Sequence, residues 1–129
     1  MRKTFAIITV LLVAFFFVQS IQAAERLLPG KKFVYKQSGG KDQELEVYFP
    51  PNHDPSKAKV PGVILFHGGG WRGGGLEQFR YICQYFASRG LVAATANYQT
   101  IPIKSPENPN KIVCITDAKS AIRWMKQHD

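Results

Sequence analysis

The apolar positions of this chain change period along its length, and each change marks an element. Residues 5–18 form an apolar run broken only by Thr9. Further on, Leu45, Val47 and Phe49 alternate with Glu44, Glu46 and Tyr48, which predicts a strand over 44–49 with one apolar face. Residues 32–36 also suit a strand. Between the two, Gln37-Ser38-Gly39-Gly40-Lys41-Asp42 reads as a hairpin turn, so these strands are expected to be antiparallel neighbours. Pro50-Pro51-Asn52-His53-Asp54-Pro55 ends the pairing, because proline brings no N–H to a ladder and Asn and Asp favour turns.

A short apolar strand over 63–66 follows, then a loop from Gly68 to Gly75 in which six of eight residues are glycine. Within 76–89, Leu76, Phe79, Ile82, Cys83 and Phe86 recur every three or four positions, the stripe of an amphipathic helix. Gly90 stands where a C′ glycine belongs. Residues 91–96 are small and apolar throughout, the pattern of a strand covered on both faces in a parallel sheet. A Pro/Asn loop over 102–110 leads to a helix that Asn110 can cap, with Val113, Cys114, Ala118, Ala121, Ile122 and Met125 as its inner stripe.

Together these elements predict an α/β fold: an antiparallel hairpin, then strand, glycine loop, helix and parallel strand with a right-handed crossover. A length of 129 residues allows one domain, and 45% hydrophobic with 20% charged residues is a globular composition. The formal charge of +8 is spread along the chain with no basic run longer than two. That pattern reads as a solvated basic surface with a weak preference for acidic partners, such as uronic-acid polymers or anionic lipid.

The first segment adds a location. Arg2 and Lys3, the apolar run, and the short small-residue stretch 19–23 have the anatomy of a secretory signal peptide, with cleavage expected after Ala23 or one residue later. The expected organisation is therefore a signal peptide over 1–23 and a domain over 24–129. The run is shorter than the ~20 apolar residues a spanning helix needs, so no stable membrane insertion is expected after cleavage. Secretion or periplasmic export sets nucleic acid aside as a partner. It also permits, without requiring, a bond between Cys83 and Cys114; each is equally readable as a buried hydrophobe. His53 has no His, Cys or acid at ligand spacing, so no metal is expected.

The candidate chemistry lies in the glycine loop. Flexible linkers seldom carry His and Trp between two periodic segments. Gly68, Gly70 and Gly73 spell G-x-G-x-x-G between a strand and a helix, a dinucleotide fingerprint. Against it, Trp71 and Arg72 would lie beside the pyrophosphate, and the next strand closes on Asn97-Tyr98 with no acid for a ribose. No Gly-Lys-Ser/Thr follows, which excludes a P-loop.

His67-Gly68-Gly69-Gly70-Trp71 resembles the HGGG motif of α/β-hydrolase esterases and lipases, which also follows the third strand. Asn97-Tyr98 resembles the family's Asn-Tyr-Arg segment with Gln99 in place of Arg, and 117–124 resembles its Asp-Ala-x-x-Ala-x-x-Trp helix. The resemblance implies an oxyanion hole made by the N–H groups of Gly69 and Gly70, with His67, Gly68 and Trp71 supporting the loop. It implies a serine carboxylic-ester hydrolase acting on a small-molecule or carbohydrate ester, with no cofactor.

The family's nucleophile sits in G-x-S-x-G, and its triad follows the order Ser, Asp/Glu, His. None of Ser20, Ser38, Ser56, Ser88, Ser105 or Ser120 lies in that motif, and Asp117 comes too early to be the triad acid, so it reads as a structural carboxylate. Nucleophile, acid and base are thus expected to be absent, leaving the N-terminal portion of a hydrolase that is inactive alone. Two other readings stand: an exported binding module or pseudoenzyme that uses the same loop without cleaving, and, more distantly, a dinucleotide-dependent oxidoreductase. For the export signal, intact-mass measurement on the secreted product should give an N-terminus at Ala24 or Glu25; material still starting at Met1 would contradict cleavage.

Overall fold

The computed structural model describes residues 28–57, 59–102 and 111–128. The expected signal segment and the Asn110 cap lie outside the described residues. Four strands, β1 (Lys31–Ser38), β2 (Lys41–Tyr48), β3 (Gly62–Phe66) and β4 (Val92–Ala96), form one sheet in the order β1-β2-β4-β3. β1 with β2 and β2 with β4 are antiparallel, while β3 and β4 run parallel. Two helices cover the sheet, α1 (Arg80–Ser88) on one face and α2 (Ile112–Gln127) on the other. This is an α/β fold of the predicted class.

Alternation along the strands explains the two layers. Leu45, Val47, Val92, Ala94 and Ala96 gather in the core beneath α2 with Trp124 and Met125. Tyr48 and Ala93 face the other way and pack with Cys83 and Ala87 of α1. β2 is therefore covered on both sides, not on the single face its alternation predicted. Its second face is polar in sequence because Glu46 there is paired: its carboxylate accepts from Arg80 Nε and from the Tyr48 hydroxyl, both at 2.8 Å.

The hairpin turn is shorter than expected. Ser38 pairs directly with Lys41, leaving only Gly39 and Gly40 as the turn, at φ 60° and 71°. Two consecutive positive φ values make a type I′ turn, whose twist matches that of the flanking strands, so the ladder runs on to its edge. The register shifts between Val34 and Lys36, a bulge at Tyr35. The extra residue brings Lys36 round to the side that Phe33 and Leu45 face, the α2 side.

The predicted helix over 76–89 divides into a 3-10 turn, Leu76–Phe79, and α1. Its end follows expectation: Gly90, at φ 91°, donates to Ala87 O, and Leu91 N–H reaches Phe86 O, the Schellman pattern. The last helix keeps most of its predicted stripe and departs from it at Ile122. Cys114, Asp117 and Ala121 are its buried residues, while Ile122 is exposed with Ile112 and Ile115. The alanines of β4 let the helix lie close to the sheet, with Ala121 against them, and Ile112, Ile115 and Ile122 turn outward.

Cys83 and Cys114 are both free and buried, one beneath each helix on opposite faces of the sheet. A bond between them would have to pass through the sheet, which settles the question the sequence left open. Burial, aided by the nearby Glu46 charge, pushes the Cys83 thiol up to about 11. Both thiols should therefore react with a disulfide reagent only after denaturation, with native Cys83 slowed by about 10²-fold or more at pH 8 through its thiolate fraction. Loss of both free thiols on air oxidation of the folded monomer would refute this arrangement.

Candidate active site

β3 ends at Phe66, and the next residue is a buried histidine, 4% exposed. His67 Nδ1 lies 3.0 Å from the Gly68 carbonyl. A carbonyl can only accept, so this contact places the ring proton on Nδ1. The Gly68 N–H donates to Gln78 Oε1 at 2.6 Å, tying the start of the loop to the 3-10 turn after it.

From here the backbone enters conformations that side chains rarely adopt. Gly69, Gly70 and Trp71 have φ of 120°, 61° and 69°, and Arg72 N–H donates back to Gly69 O at 3.0 Å. Gly70 and Trp71 are therefore the two central residues of a second type I′ turn. A Cβ on Gly69 would run into the Gly73 backbone, and one on Gly74 into the His67 ring and Gly68 carbonyl. Glycine at those two positions is required by packing. At Gly70 a Cβ would meet nothing, so the space in front of the turn is open.

Trp71 keeps its unusual φ because neighbours hold it: its carbonyl accepts the Ile101 N–H at 2.8 Å, and its ring leans on Tyr98 with centroids 5.8 Å apart. Tyr98 is the hub of this contact set. Its hydroxyl donates to the His67 carbonyl at 2.8 Å, and its ring stacks on the His67 imidazole at 4.2 Å. Burial raises the Tyr98 phenol, which keeps it a donor. In sequence Tyr98 stood out through the family segment; an aromatic just past the end of one parallel strand, beside the residue just past the end of its neighbour, was the signal for its role.

Among the described residues the Gly69 and Gly70 N–H groups have no hydrogen-bond acceptor. Gly70 lines a cavity of about 340 Å³, with Gly68, Trp71 and Tyr98 on the same side and Ile115 and Ile122 of α2 on the other. Chemically this is a cleft with apolar walls and free backbone donors at one end, suited to a polarised carbonyl oxygen.

No nucleophile meets those donors among the described residues. The Ser88 and Ser120 hydroxyls donate to carbonyls of their own helices, Ser38 to Gln99 and Ser56 to Asp54. His128 stacks on Trp124 at the end of α2, and His53 on Phe49. Asp117 is wholly buried, accepting from Lys36 Nζ at 2.6 Å and from the Gln99 N–H at 3.0 Å. Among the described residues no group of three His, Cys, Asp or Glu side chains could hold a metal, and no helix is long and apolar enough to cross a membrane.

Comparison with known proteins gives this geometry a lineage. The family model BD-FAE matches residues 45–129. Esterase LipI of Mycobacterium tuberculosis is 32% identical over 83 residues, 64% of this chain but 24% of that protein. A methylphloroacetophenone synthase of Cladonia uncialis is 29% identical over 100 residues, 75% of this chain and 4% of that protein. Esterase 2 of Thermogutta terrifontis, in its cyclosarin-phosphonylated structure, superposes with a TM-score of 0.68 at 39% identity, over 80% of this chain and 38% of that one. Its butyrate-bound structure gives the same TM-score and identity, over 36% of that chain. The chain thus spans well under half the length of the esterases it matches.

The Tyr98 contacts carry a measurable consequence. Tyr98→Phe keeps the ring stack but strands the buried His67 carbonyl, and should destabilise the chain by about 1–3 kcal/mol in denaturant unfolding. A loss under about 0.3 kcal/mol would mean that the hydroxyl does not hold the loop.

Proposed function

The chain belongs to the BD-FAE family, and on that footing we propose that it is the oxyanion-hole portion of a secreted serine carboxylic-ester hydrolase acting on small-molecule or carbohydrate esters. The observation that carries this reading is the Gly69–Arg72 turn, which leaves two neighbouring N–H groups without acceptors among the described residues, with Gly70 lining an apolar cleft. Further support comes from position: the turn follows the carboxyl end of a parallel strand, where ligands bind in open α/β sheets.

The chemistry follows from the geometry. An ester carbonyl oxygen seated before Gly69 and Gly70 gains negative charge when its carbon is attacked, and two pre-aimed donors stabilise that charge more than the ground state. One such donor contributes roughly 2.7–4 kcal/mol in a site that excludes water. His67, Gly68 and Trp71 hold the turn in shape so that no reorganisation is needed during the reaction. The attacking serine, its base and its acid belong to the parts of such hydrolases beyond these residues, acylating the serine and releasing the acid to water. The chain alone therefore turns nothing over.

The dinucleotide reading of Gly68, Gly70 and Gly73 is set aside, since those residues lie inside the stretch matched by the family. The rival that remains is an exported binding module holding an ester or carboxylate in the same cleft.

A chimera in which residues 28–128 replace the corresponding stretch of Thermogutta terrifontis esterase 2 tests the proposal. The folded chimera should hydrolyse 4-nitrophenyl butyrate, while the 129-residue chain alone stays at background. Gly70→Val, whose branched side chain is intolerant of the turn's positive φ, should lower kcat of the chimera by about 10²–10³ with little change in KM. An unchanged kcat would sink the oxyanion assignment. A folded chimera that binds butyrate but never hydrolyses the ester would favour the binding module.

A further inference from the structure

We propose that Asp117 is a positioning residue for the Gly69–Trp71 turn, acting through the segment that leaves β4; this rests on the oxyanion reading for its functional meaning but not for its physical content. Asp117 lies on the buried face of α2 and is fully enclosed. One carboxylate oxygen accepts the Gln99 N–H at 3.0 Å, and the other is paired with Lys36 Nζ at 2.6 Å. A charge so buried persists only where partners surround it, and each partner is fixed in turn.

The carboxylate therefore pins the backbone at Gln99, one residue beyond Tyr98 and two before Ile101. Tyr98 holds the His67 carbonyl and ring, and the Ile101 N–H holds the Trp71 carbonyl. The two ends of the glycine turn are thus gripped from one short segment, and that segment is anchored by Asp117. From the same side, the Tyr35 hydroxyl donates to the Asn97 carbonyl at 2.6 Å, and Ser38 donates to the Gln99 side chain at 2.9 Å. The bulge in β1 brings Lys36 to this cluster: without the extra residue, strand alternation would turn Lys36 to the α1 face and leave Asp117 without its counter-charge.

The test reads the turn directly. The full chain labelled with 15N-glycine displays 11 glycines, among which Gly69 and Gly70 are assigned by substitution. Asp117→Ala should move both resonances by more than a line width while circular dichroism stays native, and Tyr98→Phe should move the same two. Val47→Ala, which trims a buried side chain on the same face of the sheet but removes none of these hydrogen bonds, should leave them in place. If Asp117→Ala does not fold, Asp117→Asn decides by the same criterion, since it keeps one acceptor and loses the charge. Unmoved Gly69 and Gly70 resonances in a folded Asp117 variant would overturn the proposal, as would equal movement in Val47→Ala. Moved resonances alongside an inactive esterase chimera would leave the positioning role standing and reject the oxyanion reading.

Discussion

Parallel strands cannot be joined by a tight turn. A crossover must carry the chain back to the starting edge, and this puts the carboxyl ends of β3 and β4 side by side. The rest of the site depends on that constraint. His67 leaves one strand where Tyr98 leaves its neighbour, so a phenol and an imidazole that lie 31 residues apart in sequence stack, and the phenol donates to the His67 backbone carbonyl. The glycine-rich loop is then not a free linker but a short arc held at both ends. Its unusual dihedrals are stabilised from outside, by a segment that is itself fixed to α2 and β1.

Charge is distributed in the same spirit on both sides of the sheet. Glu46 beneath α1 is met by Arg80 and Tyr48, and Asp117 beneath α2 by Lys36 and the Gln99 backbone. Each acid joins strands to a helix at a defined rotation. Apolar packing alone would tolerate small slips of either helix, whereas a carboxylate committed to donors on other elements does not. With alanine as the chief side chain of β4, such polar registration specifies more of the fold than bulk does.

Much of the architecture was legible because its signals are local. Alternation named β2, a run of small apolar residues named β4, and a glycine requiring positive φ marked the end of α1. The hairpin was legible but its turn was drawn too wide, since Gln37, Ser38, Lys41 and Asp42 are polar strand residues near an exposed end and resemble turn residues. The face of α2 was read in part: Cys114 and Ala121 lie on it as expected, while Ile122 does not. Its sequence offers two apolar stripes, and the choice between isoleucines and the Cys114–Asp117–Ala121 face is made by the alanines opposite. The bulge at Tyr35 left no local trace, so the pairing of Lys36 with Asp117 was beyond sequence reasoning. At the site, the HGGGW stretch was visible through its glycines, while the tyrosine that steadies it became evident only once the two strand ends were brought together.

The alanines of β4 have one more consequence, for the substitutions this chain can accept. Ala93, Ala94 and Ala96 are fully buried, with both helices packed close against the strand. A core built of large side chains accumulates changes in both directions, some leaving voids and some crowding. Here there is almost nothing left to trim, and any larger residue must push a helix away from the sheet. The tolerated variation of the central strand is therefore one-sided. Drift in this protein should appear at the outward tyrosines of α1, Tyr81 and Tyr85, long before it appears in the strand at its centre.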